Sequence, residues 1–265
     1  MIGKRVALSP LVLTLVLALA VGARVASAAE LDEAADRYRP YAIEGVGLAL
    51  TGARELRERV TAKDLAGAKK AWLSARAGWE RSEVFTAGFV PELDTLIDAW
   101  PNADSGFHAI EAKLFGAGRT DVEGDTDALI KNLDELHERL RDMPLTPQGL
   151  LDGTVRLAYE VGESKADGGE SRISGTSLDD MRNNVSGVEF AYRTVFAGPL
   201  RQADATLADS VTKHIEQLKT VVAARDLPHV DVRTLRRASE ELAVALQAAA
   251  PKLGLRRSTL ESQSR

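Results

Sequence analysis

Apolar side chains recur along this chain at intervals of three and four residues, and that spacing restricts it to a helical fold. From Leu129, the positions Ile130, Leu133, Leu136, His137, Leu140 and Met143 form one stripe, which Pro144 ends. A helix starting near Asp64 carries Leu65, Ala68, Trp72, Ala75 and Trp79 on one face. Leu178, Met181, Val185, Val188, Tyr192 and Val195 mark another. Leu207, Val211, Ile215, Leu218 and Val222 mark the next, and Leu235, Leu242 and Leu246 the last. An earlier helix is expected from about Tyr41 through Val46 and Leu56 to Val60. No alternating strand pattern stands between these segments, so the predicted class is all-α.

Pro144-Leu145-Thr146-Pro147 is the best boundary, because two prolines stop one helix and the second can open another. Each side has room for about four helices, and antiparallel helices joined by short loops bury their stripes as bundles. The predicted architecture is therefore two packed four-helix bundles. At the N-terminus, Lys4 and Arg5 precede an apolar run from Leu11 to Gly22, and Ala26-Ser27-Ala28 follows with small residues where a signal peptidase cuts. The run is short for a spanning helix, which needs about 20 apolar residues. The expected organisation is a Sec-type signal peptide over 1–28, an N-terminal bundle over 29–144, a C-terminal bundle over 145–252 and a flexible tail over 253–265. One long irregular loop, Lys165 to Ser174, interrupts the second half, and long loops in compact domains are often functional.

The chain has no cysteine, which removes disulfides, thiolate metal sites and attachment of a lipid at a cysteine. An exported protein of this kind is held by its core, and roughly 240 residues suffice for one. Loss of Lys4, Arg5 and Arg24 with the signal would leave the chain more acidic than its formal charge of −5. Nucleic acid, which needs basic patches, is a poor partner for such a surface, and cations are a better one. The expected location is the periplasm or the extracellular space, without stable membrane insertion.

Four histidines are present, at 108, 137, 214 and 229, and no HExxH, phosphate-binding glycine loop or G-x-S-x-G elbow accompanies them. His137 lies on an apolar stripe, and His214 and His229 lack a clear set of carboxylates; all three read as structural. His108 stands in Asp104-Ser105-Gly106-Phe107-His108-Ala109-Ile110-Glu111, where Asp104 or Ser105 can cap a helix. His108 and Glu111 are then neighbours at i and i+3, and such a pair can share one metal ion. Glu80 and Glu83 repeat the spacing upstream, with a solvated Arg76–Glu80 pair as the plainer reading. Asp94 and Asp98 lie between, beside Leu96 and Ile97. Carboxylates with one imidazole make an oxygen-rich site that suits iron, manganese or calcium, admits zinc and disfavours copper(I).

These segments resemble the imelysin-like family, which includes the EfeO and EfeM components of bacterial iron uptake. Gly106-Phe107-His108-Ala109-Ile110-Glu111, followed by Leu114-Phe115-Gly116, is similar to its GxHxxE signature. Ala75 to Glu83 resembles its A-R-x-x-Y-E-R-I-E segment, Leu93 to Ala99 its L-D-x-x-I-D-A segment, and Lys165 to Gly187 its K-I-T-G-E-E-x-R-Y-S-H-T-D-L stretch with the following N-x-x-G. The resemblance implies two four-helix bundles, export, and a metal site at Glu83, Asp98, His108 and Glu111 with Glu80 nearby. It also implies that binding weakens as those groups protonate in mild acid. Three departures stand out. No cupredoxin-like domain precedes the helices, the stretch from Asp98 to His108 is shorter than in EfeO, and Gly175 and Ser177 replace the family's His and Asp while Glu170 and Asp179 remain.

The expected function is capture of iron, with zinc or another divalent cation as the alternative cargo, for a membrane iron permease, with a periplasmic peroxidase as a further partner. It is expected to be a binding protein, not an enzyme. The alternatives are a metal-dependent, peptidase-like hydrolase and a helical module recognising polysaccharide or protein.

Overall fold

The computed structural model describes residues 27–100, 104–166 and 168–259, so the expected signal peptide lies outside the described residues except for Ser27 and Ala28. Among the described residues the regular structure is helix without strands, in the order α1 (Ala28–Thr61), α2 (Leu65–Ser82), α3 (Thr86–Phe89), α4 (Pro91–Asp98), α5 (Gly106–Glu111), α6 (Glu123–Arg139), α7 (Pro147–Glu163), α8 (Ser177–Ala191), α9 (Ala197–Ala203), α10 (Ala205–Val222) and α11 (Val232–Ala249). Single π-helical turns, Ala112–Gly116 and Tyr192–Phe196, continue α5 and α8.

The helix ends follow side-chain chemistry. Asp64 caps α2 by accepting from the Gly67 amide at 2.9 Å. Pro147 stands at the first position of α7, behind a Thr146 hydroxyl that accepts from the Gly149 amide. The expected start of the first helix is corrected. It begins at Ala28, about a dozen residues before Tyr41, behind a reciprocal Ser27–Glu30 capping box, and runs straight through Pro40. Next to that proline, Arg39 donates to the carbonyls of Leu140 (2.9 Å) and Met143 (2.6 Å) and ties α1 to the end of α6. Tertiary contacts of this kind outweigh the cost of one missing helical hydrogen bond.

The stripes read from the sequence face inward. α1, α2 and α6 pack together with α5 against α6, and α7, α8, α10 and α11 form the second group of four. Trp72, Trp79, Phe85 and Phe107 are buried, and one apolar core continues through both groups. The groups join where α2 meets α8 and where the turn Glu83–Phe85 meets α7. A Cβ at Gly187 of α8 would lie 2.4 Å from the Arg81 carbonyl oxygen, so only glycine lets this helix approach α2 so closely. That approach carries α8 against the acidic face of α2.

The expected loose tail does not hold for its first part. Ser258 donates to Asp152 at 2.6 Å, Gln247 donates to the Ser258 carbonyl, and the Arg256 amide donates to Gln148. These contacts fix the chain on α7 and α11 as far as Ser258.

Candidate metal centre

Two cations and six carboxylates meet at the junction of the two groups, together with one imidazole. α2 supplies Arg76 and Glu80 and the following turn supplies Glu83. α4 supplies Asp98, α5 supplies His108 and Glu111, the loop after α7 supplies Lys165 and Glu170, and α8 supplies Asp180 and Asn184. All of them are buried. The five residues expected from the sequence are therefore gathered in one place, but they do not play one part.

His108 and Glu111 form a hydrogen-bonded pair, with Nδ1 2.9 Å from Glu111 Oε2. The other oxygen of Glu111 accepts from the amide and the hydroxyl of Ser174, each at 2.7 Å. Glu111 is thus held by Ser174 through one oxygen and holds the imidazole through the other. The free face of that ring is Nε2, which is buried and has no hydrogen-bond partner. It lies 3.4 Å from Asp98 Oδ1 and 4.0 Å from Glu170 Oε1. Asp98, His108 and Glu170 can offer one donor atom each within 4.8 Å of one another. Trp100 tilts over the ring at 5.1 Å, and Asp98 has the most solvent-exposed side chain of the three.

Gly106 places the pair. Its φ is +60°, and a Cβ there would lie 2.0 Å from the Ile97 carbonyl oxygen. The left-handed backbone alone costs a non-glycine residue about 1–2 kcal/mol. Gly106→Ala is expected to destabilise the protein by at least about 2 kcal/mol, measured by urea unfolding; a loss below about 0.5 kcal/mol would contradict this account.

Glu80 and Glu83 face the two cations. Arg76 is not a solvated partner of Glu80, as the plainer reading had it. It is buried, and its guanidinium contacts Glu80 and Asp98, lies 2.6 Å from Glu170 and directs Nε toward Asp180 at 3.7 Å. Lys165 Nζ lies 2.7 Å from Glu80 and 2.9 Å from Glu170. Asn184 donates to Glu80 Oε2 at 2.7 Å and Glu83 Oε2 at 2.8 Å. Asp180 accepts from Ser171 at 2.5 Å, whereas Asp179, noted in the sequence, is exposed and pairs with Arg182.

The charges divide the acids into two kinds. Burial pushes Glu83 and Asp180 well above the usual carboxylate range, and the charge on Glu80 adds to the push. Glu170 is raised by burial against the pull of Lys165. Burial also opposes ionisation of Glu80 and Asp98, but Arg76 and Lys165 offset it at Glu80. At Asp98, Arg76, His108 and Lys165 more than offset it and hold the carboxyl well below its ordinary value. A carboxyl with a raised folded pKa binds its proton first in the folded state, so it adds stability as pH falls toward the ordinary range near about 4. A depressed one adds stability above that range and loses it as pH falls further. The metal-free protein is therefore expected to melt at a higher temperature near pH ~5 than at pH ~8, and lower again below about pH 4. Glu83→Gln combined with Asp180→Asn should flatten the rise from alkaline to mildly acid pH. A melting temperature highest at pH ~8 would refute the assignment.

Sequence reasoning took Arg76 as solvated and passed over Lys165, Asp180 and Asn184 as members of the site. A signal was present: Arg76 falls four residues after Trp72 and three before Trp79 on the apolar stripe of α2. Asn184 falls three after Met181 and four before Val188 on that of α8. A polar residue on a buried face needs partners, and here they are one another.

The imelysin family model, which also carries a peptidase name, matches residues 34–106 and 102–253. A Staphylococcus aureus (strain MRSA252) protein named as an Efem/EfeO family lipoprotein is 31% identical over 209 residues, spanning 73% of this chain and 72% of that protein. Its counterpart in strain NCTC 8325 is 30% identical over the same length. A solved structure described as an iron-regulated protein A precursor from Parabacteroides distasonis has the same fold. Its TM-score is 0.71 at 15% identity, covering 87% of this chain and 96% of that one. Among the described residues, no helix is long and apolar enough to cross a membrane.

Proposed function

The chain belongs to the imelysin family, and from that premise we propose that it is an exported binding protein that captures iron for a membrane permease. The cargo ion is held by Asp98, Glu170 and Nε2 of His108. Glu111 does not ligate; it holds His108 by Nδ1, so that the lone pair of Nε2 is directed at the two carboxylates. The observation that carries the reading is that buried, unpartnered nitrogen 3.4 Å from one carboxylate and 4.0 Å from another. A metal-bound histidine ordinarily gives its second ring nitrogen to a carboxylate, as His108 does to Glu111. Oxygen donors with one imidazole suit a hard or borderline cation such as iron and admit zinc.

A binding role is favoured over hydrolysis by what surrounds the ligands. A hydrolytic metal needs an open position for water and a free general base beside it. Here the remaining carboxylates of the cluster face the cations, Glu80 both Arg76 and Lys165, Glu83 Lys165 and Asp180 Arg76. The names of the Staphylococcus relatives, which pair the EfeO label with lipoprotein, support work outside the cytoplasm. This chain contains no cysteine, so export through the Sec-type signal of residues 1–28 is proposed to release it to the periplasm or beyond.

The test is thermal melting of metal-stripped protein with and without iron(II), iron(III), manganese(II) and zinc(II). An ion that binds only the folded state at a hundredfold excess over its dissociation constant adds about 2.7 kcal/mol of stability. A rise with iron supports the reading. No rise with any of the four ions removes it.

A further inference from the structure

The junction of α2 and α8 has a second face. Glu80 and Asn184 turn toward the buried cluster, where the amide donates to the carboxylate at 2.7 Å. The residues beside them, Arg81 and Asn183, line an open cavity of about 630 Å³ between α1, α2 and α8. Sites of that size hold small organic molecules. Tyr41 of α1 and Phe190 of α8 form its apolar wall, with their rings stacked at 3.9 Å and 10°. Glu189 and Arg193 complete the charged part of the lining.

Arg81 differs from the arginines of the neighbouring helix. Arg37, Arg54 and Arg57 of α1 each have a carboxylate within 3.1 Å. Arg81 has only Glu44 in reach, at 3.8 Å, which is beyond hydrogen-bond distance. Its guanidinium lies over the Tyr41 ring, 4.5 Å from the centroid, and meets the Tyr41 hydroxyl. An aromatic face holds a planar guanidinium in place, and the fork has more N–H donors than these two neighbours can use. With a side chain 26% exposed, Arg81 can present them to a ligand.

The other polar groups narrow the choice of ligand. Glu189 lies 3.0 Å from both Arg193 and Lys219, so its charge is compensated and does not bar an anion. The Asn183 amide and the Ser186 hydroxyl donate at 2.8 Å to the carbonyls of Asp179 and Arg182, within α8 itself. Polar recognition therefore falls to the guanidinium groups, which match an oxyanion better than a neutral polyol. This local excess of arginine stands in a chain whose formal charge is −5. A bare inorganic anion would leave the aromatic wall and most of the volume unfilled.

We propose that this cavity binds a small aromatic carboxylate, with the carboxylate on the fork of Arg81 and the ring against the Tyr41–Phe190 wall. The site shares no residue with the ion site and does not depend on it. Arg193, whose side chain is 73% exposed, adds charge from the solvent side and contributes less.

Isothermal titration of the metal-stripped protein with 2-naphthoate tests the proposal. Wild type is expected to bind one molecule per chain, and 2-naphthamide, the same ring without the charge, at least about tenfold more weakly. Arg81→Gln should lose at least about tenfold in affinity, and Arg81→Lys should lose affinity too, because an ammonium does not reproduce the planar fork. Arg193→Gln should lose less than Arg81→Gln, and His108→Ala should bind as wild type does. No saturable binding of naphthoate up to about 10 mM overturns the proposal. So does equal affinity for the acid and the amide, a comparison that needs no variant to fold. Binding unchanged in Arg81→Gln, or lost in His108→Ala, would place the ligand elsewhere and equally overturn it. Phosphate that binds more tightly than naphthoate would also overturn it, as the mark of a simple anion site.

Discussion

His108→Ala is expected to abolish the stabilisation of the protein by iron. The substitution removes the only nitrogen donor of the set and leaves two carboxylates, Asp98 and Glu170, each of which also contacts Arg76. Removing a partner that merely orients a ligand typically costs 10–100-fold in metal affinity, and removing the ligand itself costs at least about the upper end of that range. At a metal concentration about a hundred times the wild-type dissociation constant, the added ~2.7 kcal/mol then vanishes, which for a chain of this size is about 5–10 °C of melting temperature. Glu111→Ala separates the roles. It leaves all three ligands in place but frees the ring, since Glu111 is the group that holds Nδ1 at 2.9 Å and is itself held by Ser174. Its loss should fall at about 10–100-fold, and Glu111→Gln, which retains an acceptor, should lose less. Isothermal titration of the folded variants measures all three. Equal losses for His108→Ala and Glu111→Gln would mean that Glu111 is itself a ligand, and unchanged affinity in His108→Ala would place the metal elsewhere.

Arg76→Met is expected to cost more stability than any other single substitution in the cluster. The guanidinium touches Asp98, Glu80 and Glu170, faces Asp180 and lies 5.5 Å from the centroid of the Phe107 ring. Methionine conserves the stem and much of the packing, so the difference reports the charge. Breaking a buried ion pair from one side typically costs 3–5 kcal/mol, because the carboxylates left behind stay buried and uncompensated. For this length that corresponds to roughly 10–15 °C in melting temperature. The loss should be greatest at neutral to alkaline pH. Asp98 owes its depressed pKa first to Arg76 among the groups that lower it, so in the variant it titrates higher and protonation in acid relieves part of the cost. Thermal and urea melts of the metal-free variant at pH ~5 and pH ~8 give the answer. A loss below about 1 kcal/mol at both would show that the cluster is not held by this cation.

Much of the protein was legible in local pattern. A stripe at helical spacing needs only a core to face, and α2, α8, α10 and α11 stand where their stripes place them, with Val195 in the π turn that continues α8. α6 starts earlier than its stripe and ends at Arg139, short of Met143 and Pro144. Asp64 and Pro147 mark helix starts by chemistry that lies within three residues of them. The meeting of Glu80, Glu83, Asp98, His108 and Glu111 was anticipated because each pair sits at i and i+3 or within a short segment, and the family motif orders the segments. The first helix was expected only from about Tyr41, since a local reading cannot see the Arg39 bonds to Leu140 and Met143, about a hundred residues away.

What the sequence by itself determined was therefore the helical class, the stripes that build the core, and the neighbourhood of the acidic and histidine residues. The tertiary structure alone decided what those residues touch. One oxygen of Glu111 meets His108 and the other is taken by Ser174, on a loop 63 residues distant. Glu170 became a ligand candidate because its loop folds back onto α2, and Arg76 and Lys165 became interior cations because α8 closes over them. Spacing along one helix identifies neighbours on one face. Charge compensation in a buried cluster depends on which elements meet there, and that is settled only when both helical groups pack.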